Sequence, residues 1–150
     1  MYRLNNNMTP GTTTITCEGD HITTITDILD IFNVDQDVLV LSYNIKKSKI
    51  EQGNVTTTRS SSSKDFVSIE TEKPAVNVTL TPEHRVYDCA KQKYVRCSDI
   101  TKNSKVLHDT GEELDVVRVD QIKNNTTETV YSINVTDNYN YFANGVLVSC

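Results

Sequence analysis

A chain of 150 residues is close to the commonest size of a single compact domain and long enough to bury a usable core. Its formal net charge of −5 leaves no basic face for phosphate-dominated contact, which argues against nucleic acid as a partner. No apolar run approaches a membrane span, and the polar start Met1-Tyr2-Arg3-Leu4-Asn5-Asn6-Asn7 lacks the pattern of a signal peptide, so a secreted parent would carry its signal upstream.

In chain order the expected elements are almost all strands. Short β-branched or aromatic runs stand at 12–16, 22–25, 38–43, 66–69, 76–80, 85–87, 94–95, 116–119 and 130–135, separated by turn residues. One helix-like stretch interrupts them at 27–32, with Asp27 as its N-cap. The Ser/Thr run 56–63 has no apolar residue to bury and is expected as an exposed loop. The last thirteen positions, 138–150, read as an aromatic strand, an Asn144-Gly145 turn, an aliphatic strand and a closing thiol, Cys150.

The chain also repeats. Moved along itself by 72 residues, Met8-Thr9-Pro10 falls on Leu80-Thr81-Pro82, Cys17 on Cys89, and Thr26-Asp27-Ile28 on Ser98-Asp99-Ile100, without a gap. Val38-Leu39 and Val106-Leu107 then recur, with a longer insert in the first copy. Two copies of one β unit, 8–28 and 80–100, related by a pseudo-twofold within one domain are expected, and a monomer.

Thr81-Pro82-Glu83-His84 sets a hydroxyl and an imidazole three residues apart between strand-like runs. Alone, such a stretch is an ordinary turn, with Pro82 fixing φ and His84 satisfied by a backbone carbonyl. Together with Phe66-Val67-Ser68-Ile69-Glu70-Thr71-Glu72 before it and Val146-Leu147-Val148-Ser149-Cys150 at the end, it resembles the Hint family, the fold shared by inteins and hedgehog autoprocessing domains. The hedgehog branch is the closer one, since an intein is expected to end His-Asn where Ser149-Cys150 stands. The resemblance runs from about Met8 to Cys150 and implies an all-β, horseshoe-shaped fold with pseudo-twofold related subdomains and one short helix.

The resemblance also implies an activity: self-cleavage of the domain from its own upstream polypeptide by an acyl shift onto a side chain. In that chemistry His84 protonates the departing amide nitrogen, Thr81 holds the same peptide in a strained pose, and Cys150 lies beside the nucleophile. The thioester so formed is opened by a second nucleophile: a thiol, water or, in the hedgehog branch, a sterol hydroxyl. The family's Gly-Thr pair is matched by Gly11-Thr12, and counting four residues back puts the nucleophile slot at Asn7, which has no thiol. His84 is then expected against the amide of residue 7 and the Cys150 sulfur near the Asn7 side chain. Cys17, in Cys17-Glu18-Gly19-Asp20, is the alternative start, although the repeat sets it on Cys89 and reads 18–20 as a hairpin turn. The slot for a base that would activate a sterol falls on Thr58, and a hydroxyl cannot act as a general base at neutral pH.

No cofactor or metal is implied. Cys89 and Cys97 flank the hairpin 90–96, so a cross-strand disulfide is open to them in an oxidising compartment, but no second ligand pair follows for zinc and free thiols are the baseline. His21 and His108 lack a partner at a telling spacing. Asn-x-Thr triplets at Asn7, Asn54, Asn77, Asn124, Asn125 and Asn134 are what an Asn/Thr-rich composition generates by chance, and become glycan acceptors only if the resemblance places the chain in the secretory pathway or outside the cell. The competing reading is a non-catalytic, β-rich extracellular interaction module. That reading gives no reason for Asn7, Thr81, His84 and Cys150 to meet.

Overall fold

The computed structural model describes residues 7–17, 21–34 and 37–150. Twelve strands and one α-helix follow in order: β1 Thr9–Pro10, β2 Thr14–Thr16, β3 Ile22–Thr24, α1 Ile25–Val34, β4 Leu39–Asn44, β5 Lys49–Thr71, β6 Asn77–Leu80, β7 Arg85–Asp88, β8 Lys93–Arg96, β9 Lys105–Leu107, β10 Glu113–Val135, β11 Asn140–Ala143 and β12 Val146–Ser149. A 3-10 turn, Cys97–Asp99, follows β8. The strands form one antiparallel system in the order β3-β2-β11-β12-β7-β9-β10-β5-β4, with β1 on β10, β6 on β5 and β8 on β7. The expected turn 18–20 lies outside the described residues.

The elements recur at the spacing the sequence repeats. Adding 72 carries β2 into β7, β3 into β8, and the first turn of α1 onto the 3-10 turn at Cys97–Asp99. Each unit is entered through a hydrogen-bonded turn, although the two turns are offset by one residue under the repeat: Thr13 N–H donates to Pro10 O at 3.1 Å, and His84 N–H to Thr81 O at 3.0 Å.

Several elements differ from the sequence reading; the expected strands 116–119 and 130–135, for example, are parts of the one strand β10. The run 56–63 is not a loop but the middle of β5, paired along its length with β10 from Ser63↔Glu128 to Thr57↔Asn134. It needs no apolar residue, because both faces of this ribbon are wet and what holds it is the backbone ladder, to which β-branched Thr is well suited. The helix starts two residues before Asp27, and its cap is Thr24, whose Oγ1 accepts the Asp27 N–H at 3.3 Å. A cap bonds the third residue of its helix, which makes Asp27 the residue capped.

The core is one large cluster that includes Ile15, Ile25, Ile69, Leu80, Leu114, Ile133 and Tyr141. Every residue of β11 and the first three of β12 are buried, since this hairpin lies inside the sheet between β2 and β7. Its turn is the expected one: Asn144 and Gly145 both take positive φ, 48° and 82°, as a two-residue hairpin requires. Buried Asn140 ties β11 to β4, accepting the Tyr43 N–H at 2.8 Å and donating to Tyr43 O at 2.9 Å. Where β5 leaves β4, Gly53 passes against β10 so closely that a Cβ would run into Val135 Cγ1. Gly53→Ala is therefore expected to destabilise the fold by about 1–3 kcal/mol, the usual cost of overpacking, read as a lower urea midpoint at unchanged m.

Candidate functional site

The site begins at the turn between β6 and β7. Pro82 holds the φ that a turn needs at its second position, and His84 N–H closes the turn on Thr81 O. Two further bonds pin it to the 3-10 turn: Cys97 N–H to His84 O at 2.7 Å and Ser98 N–H to Pro82 O at 3.0 Å. Thr81 and His84 are both buried, His84 with 0% exposure.

These residues grip the backbone of Met8 on both sides of its Cα. Met8 N–H donates to Thr81 Oγ1 at 3.1 Å, while Thr81 donates both its N–H and its O–H to Met8 O, each at 3.1 Å. His84 Nδ1 lies 3.2 Å from the same oxygen. The expected contact was between His84 and the amide of residue 7; His84 meets the Met8 carbonyl oxygen, and the Met8 N–H is bound by Thr81.

The other end of the chain arrives by strand register. β12 pairs with β7 at Val148↔Val86, and continuing that antiparallel register by two residues sets Cys150 opposite His84. His84 Nε2 meets Ser149 O at 2.9 Å. Asn7 bridges the two strands: its Nδ2 donates to Cys150 O at 2.6 Å and its Oδ1 accepts the Arg85 N–H at 3.2 Å. It is the Cys150 carbonyl, rather than its sulfur, that Asn7 meets, so the Asn7 side chain acts as a clamp on the last residue.

Burial dominates the electrostatics. It pushes the His84 pKa down to about 4, opposed by the Met8 and Ser149 carbonyls. A neutral ring has one N–H for two carbonyl neighbours. Met8 O already accepts two hydrogens from Thr81, so the ring proton is best used on Nε2 toward Ser149 O, which leaves Nδ1 facing residue 8 as the basic atom. Burial raises the Cys150 thiol to about 12, with a Val135 backbone bond opposing it. Tyr141, not singled out in the sequence, packs beside the imidazole with ring centroids 6.4 Å apart.

Asn7, Thr81, His84 and Cys150 are thus brought together, and two other candidates are not. Thr58 sits on β5 across from Ile133, next to Arg59. Cys17 follows β2, bridged to Val40, with its sulfur 3.7 Å from Ile15 O. All four cysteines are free. Cys89 and Cys97 belong to opposite ends of the β7–β8 hairpin, beyond Asp88↔Lys93 and Arg85↔Arg96 respectively, which is too far apart for a disulfide. Met8 is the site residue that sequence reasoning passed over. The repeat held the signal, since it aligns Met8 with Leu80, the neighbour of Thr81. Beside Met8 and Thr81 opens a cavity of about 450 Å³, lined also by Arg59, the serines 60–63, Asp65 and Glu83.

No family model matches the chain, and no curated protein matches its sequence. Solved structures do. The chain is similar to a DnaB intein from Synechocystis sp. PCC 6803, with a TM-score of 0.82, 18% identity, and 96% of this chain and 98% of that one covered. A bacterial intein-like domain from Clostridium thermocellum aligns over 98% of this chain and 100% of its own at a TM-score of 0.80 and 18% identity. The TvoVMA intein gives 0.80 at 16% identity, covering 95% and 96%. The chain therefore has the intein-type Hint fold. Among the described residues no helix is long and apolar enough to cross a membrane.

Proposed function

We propose that this chain is a Hint-type self-processing domain of the hedgehog-like kind, whose reaction is an acyl shift at the peptide bond between Asn7 and Met8. The observation that carries the reading is the double grip on residue 8. Thr81 binds the N–H and the C=O of residue 8, which belong to the peptide units on either side of its Cα, while His84 touches that C=O with one ring nitrogen and Ser149 O with the other. A β-rich interaction module has no need to draw residues 8 and 149 onto one buried imidazole. The intein-like fold supports self-processing in general, and Ser149-Cys150 in place of His-Asn favours the hedgehog-like kind.

On this reading the nucleophile slot is position 8 rather than position 7. A thiol there would attack the carbonyl of residue 7 through a five-membered ring, passing its proton to His84 Nδ1. The ring then gives that proton to the departing Met8 nitrogen, which Thr81 Oγ1 already holds. Burial suits His84 to the second half of this task, since a depressed pKa makes the imidazolium a stronger acid. Methionine has no S–H and cannot accept an acyl group, so the chain as written carries the machinery without its nucleophile. With a reporter fused upstream and Met8→Cys installed, dithiothreitol is expected to yield a reporter ending at residue 7, identified by mass spectrometry. An intact fusion in thiol, with the folded state verified, overturns the reading. Sterol is expected to add nothing, because Thr58 offers no carboxylate.

A further inference from the structure

We propose that the chain carries a second acyl-shift site at its closing strand, where the Cys150 thiol takes over the Ser149 acyl group and any polypeptide joined through Cys150 is released. The reaction uses a thiol this chain already has and needs none at position 8. A chain that is silent at its upstream end is therefore expected to react at this one. A thiol attacks the carbonyl immediately before it through a five-membered ring, and for Cys150 that carbonyl is the one His84 Nε2 meets, at 2.9 Å from Ser149 O. The Nε2 proton thus points at the oxygen on which negative charge develops as the carbon becomes tetrahedral. The rest of residue 150 is held as well. Its N–H donates to Tyr139 O at 3.0 Å, and its C=O accepts from Asn7 Nδ2 at 2.6 Å and from the Ser149 hydroxyl at 3.3 Å.

A second, independent observation points to the sulfur. Tyr141 is 1% exposed, and among the described residues its hydroxyl has no hydrogen-bond partner. A buried donor left unpaired costs stability, so its presence calls for a reason. Cys150 packs against the core cluster that contains Tyr141, and a thiolate on Cys150 raises the Tyr141 pKa beyond what burial does. The two groups are therefore within electrostatic reach of each other. Burial puts the Cys150 pKa at about 12, so the group is S–H at neutral pH and gains from a donor beside it as the proton leaves. The spare Tyr141 hydroxyl is that donor.

The step balances without any oxidant or cofactor. The S–H proton passes to water as Sγ bonds to the Ser149 carbonyl carbon, and His84 holds the oxyanion. Collapse breaks the C–N bond, and the Cys150 nitrogen takes a proton from water and becomes an amine. Ser149 is then joined to the Cys150 sulfur as a thioester. An external thiol takes the acyl group, restores the Cys150 thiol and draws the reaction forward.

The test uses the full chain, with Met8 in place and a reporter polypeptide joined after Cys150, incubated with dithiothreitol and read by mass spectrometry. The expected products are a chain ending at Ser149, as its dithiothreitol thioester or the hydrolysed acid, and a reporter beginning with Cys150. Cys150→Ala is expected to abolish release. Tyr141→Phe is expected to slow it about a hundredfold, the usual cost of losing one donor to developing charge, while the melting temperature holds or rises because only an unpaired hydroxyl is lost. An intact fusion whose melt shows it folded, cleavage at another bond, release that survives Cys150→Ala, or a Tyr141→Phe rate equal to the parent's each overturns the site. Upstream release from Met8→Cys depends on a different thiol, so either reaction can fail without the other.

Discussion

Installing a thiol at position 8 is expected to turn a silent chain into a self-cleaving one, whereas a thiol at position 7 is not. Parallel reporter fusions carrying Met8→Cys and Asn7→Cys, incubated with dithiothreitol, would differ by about a hundredfold or more in release rate, the usual worth of acid–base assistance to the leaving nitrogen. A side chain attacks the carbonyl immediately before it, so a thiol at 7 would act on the bond before residue 7, whereas a thiol at 8 would act on the bond whose nitrogen donates to Thr81 Oγ1. Asn7→Cys also removes the two bonds by which Asn7 clamps Arg85 and Cys150. Met8→Cys empties part of a buried site, at about 1–2 kcal/mol, so thermal melts of both fusions belong beside the kinetics. Cys17→Ala in the Met8→Cys background is expected to leave release unchanged. If it abolishes release instead, the nucleophile is Cys17.

His84→Ala in the Met8→Cys fusion is expected to slow release at least a hundredfold, because the amide nitrogen would have to leave without its proton. His84→Gln separates chemistry from scaffolding: glutamine can still donate to one of the two carbonyls but cannot relay a proton, so its melting temperature should recover while its rate does not. The same residue makes stability depend on pH. The folded pKa of about 4 lies below the ordinary 6.5, so the unfolded chain takes up the proton first as pH falls. The stabilising contribution is present above pH 6.5 and is lost as pH drops from there through about 4, reaching about 3 kcal/mol for the gap between the two values. Urea midpoints measured from pH 7.5 to pH 4 are expected to decline over that window, and His84→Gln should remove most of the decline attributable to this group. A decline of equal size in both proteins would assign it to other groups.

Local pattern and local chemistry were enough for much of the molecule. Alternating β-branched and aromatic residues gave the strands, Asn144-Gly145 gave the turn that closes the last hairpin, and Thr81-Pro82-Glu83-His84 gave a turn that carries two functional groups. The misread elements have a common cause. The run 56–63 has no hydrophobic face, so its strand pairing comes entirely from the facing β10, which no local window contains. The start of α1 was misjudged by two residues because both Thr24 and Asp27 can cap, and only the surrounding backbone selects between them.

The sequence by itself determined which groups could do chemistry and, through the 72-residue repeat, that two like units are present. Their meeting point was decided by tertiary structure. Antiparallel register is set by how strands dock, so the pairing of Val148 with Val86, which brings Cys150 opposite His84, is fixed by burial of the β11–β12 hairpin between β2 and β7. The pairing of residue 8 with residue 81 follows the same logic. A pseudo-twofold that exchanges 8 with 80 and 9 with 81 maps the pair 8 and 81 onto 80 and 9, so both belong to one antiparallel register crossing the axis, where β1 and β6 touch. Counting along the chain from Gly11 carries no information about that axis. In the folded chain Met8 is the residue whose N–H meets Thr81 and whose C=O meets both Thr81 and His84.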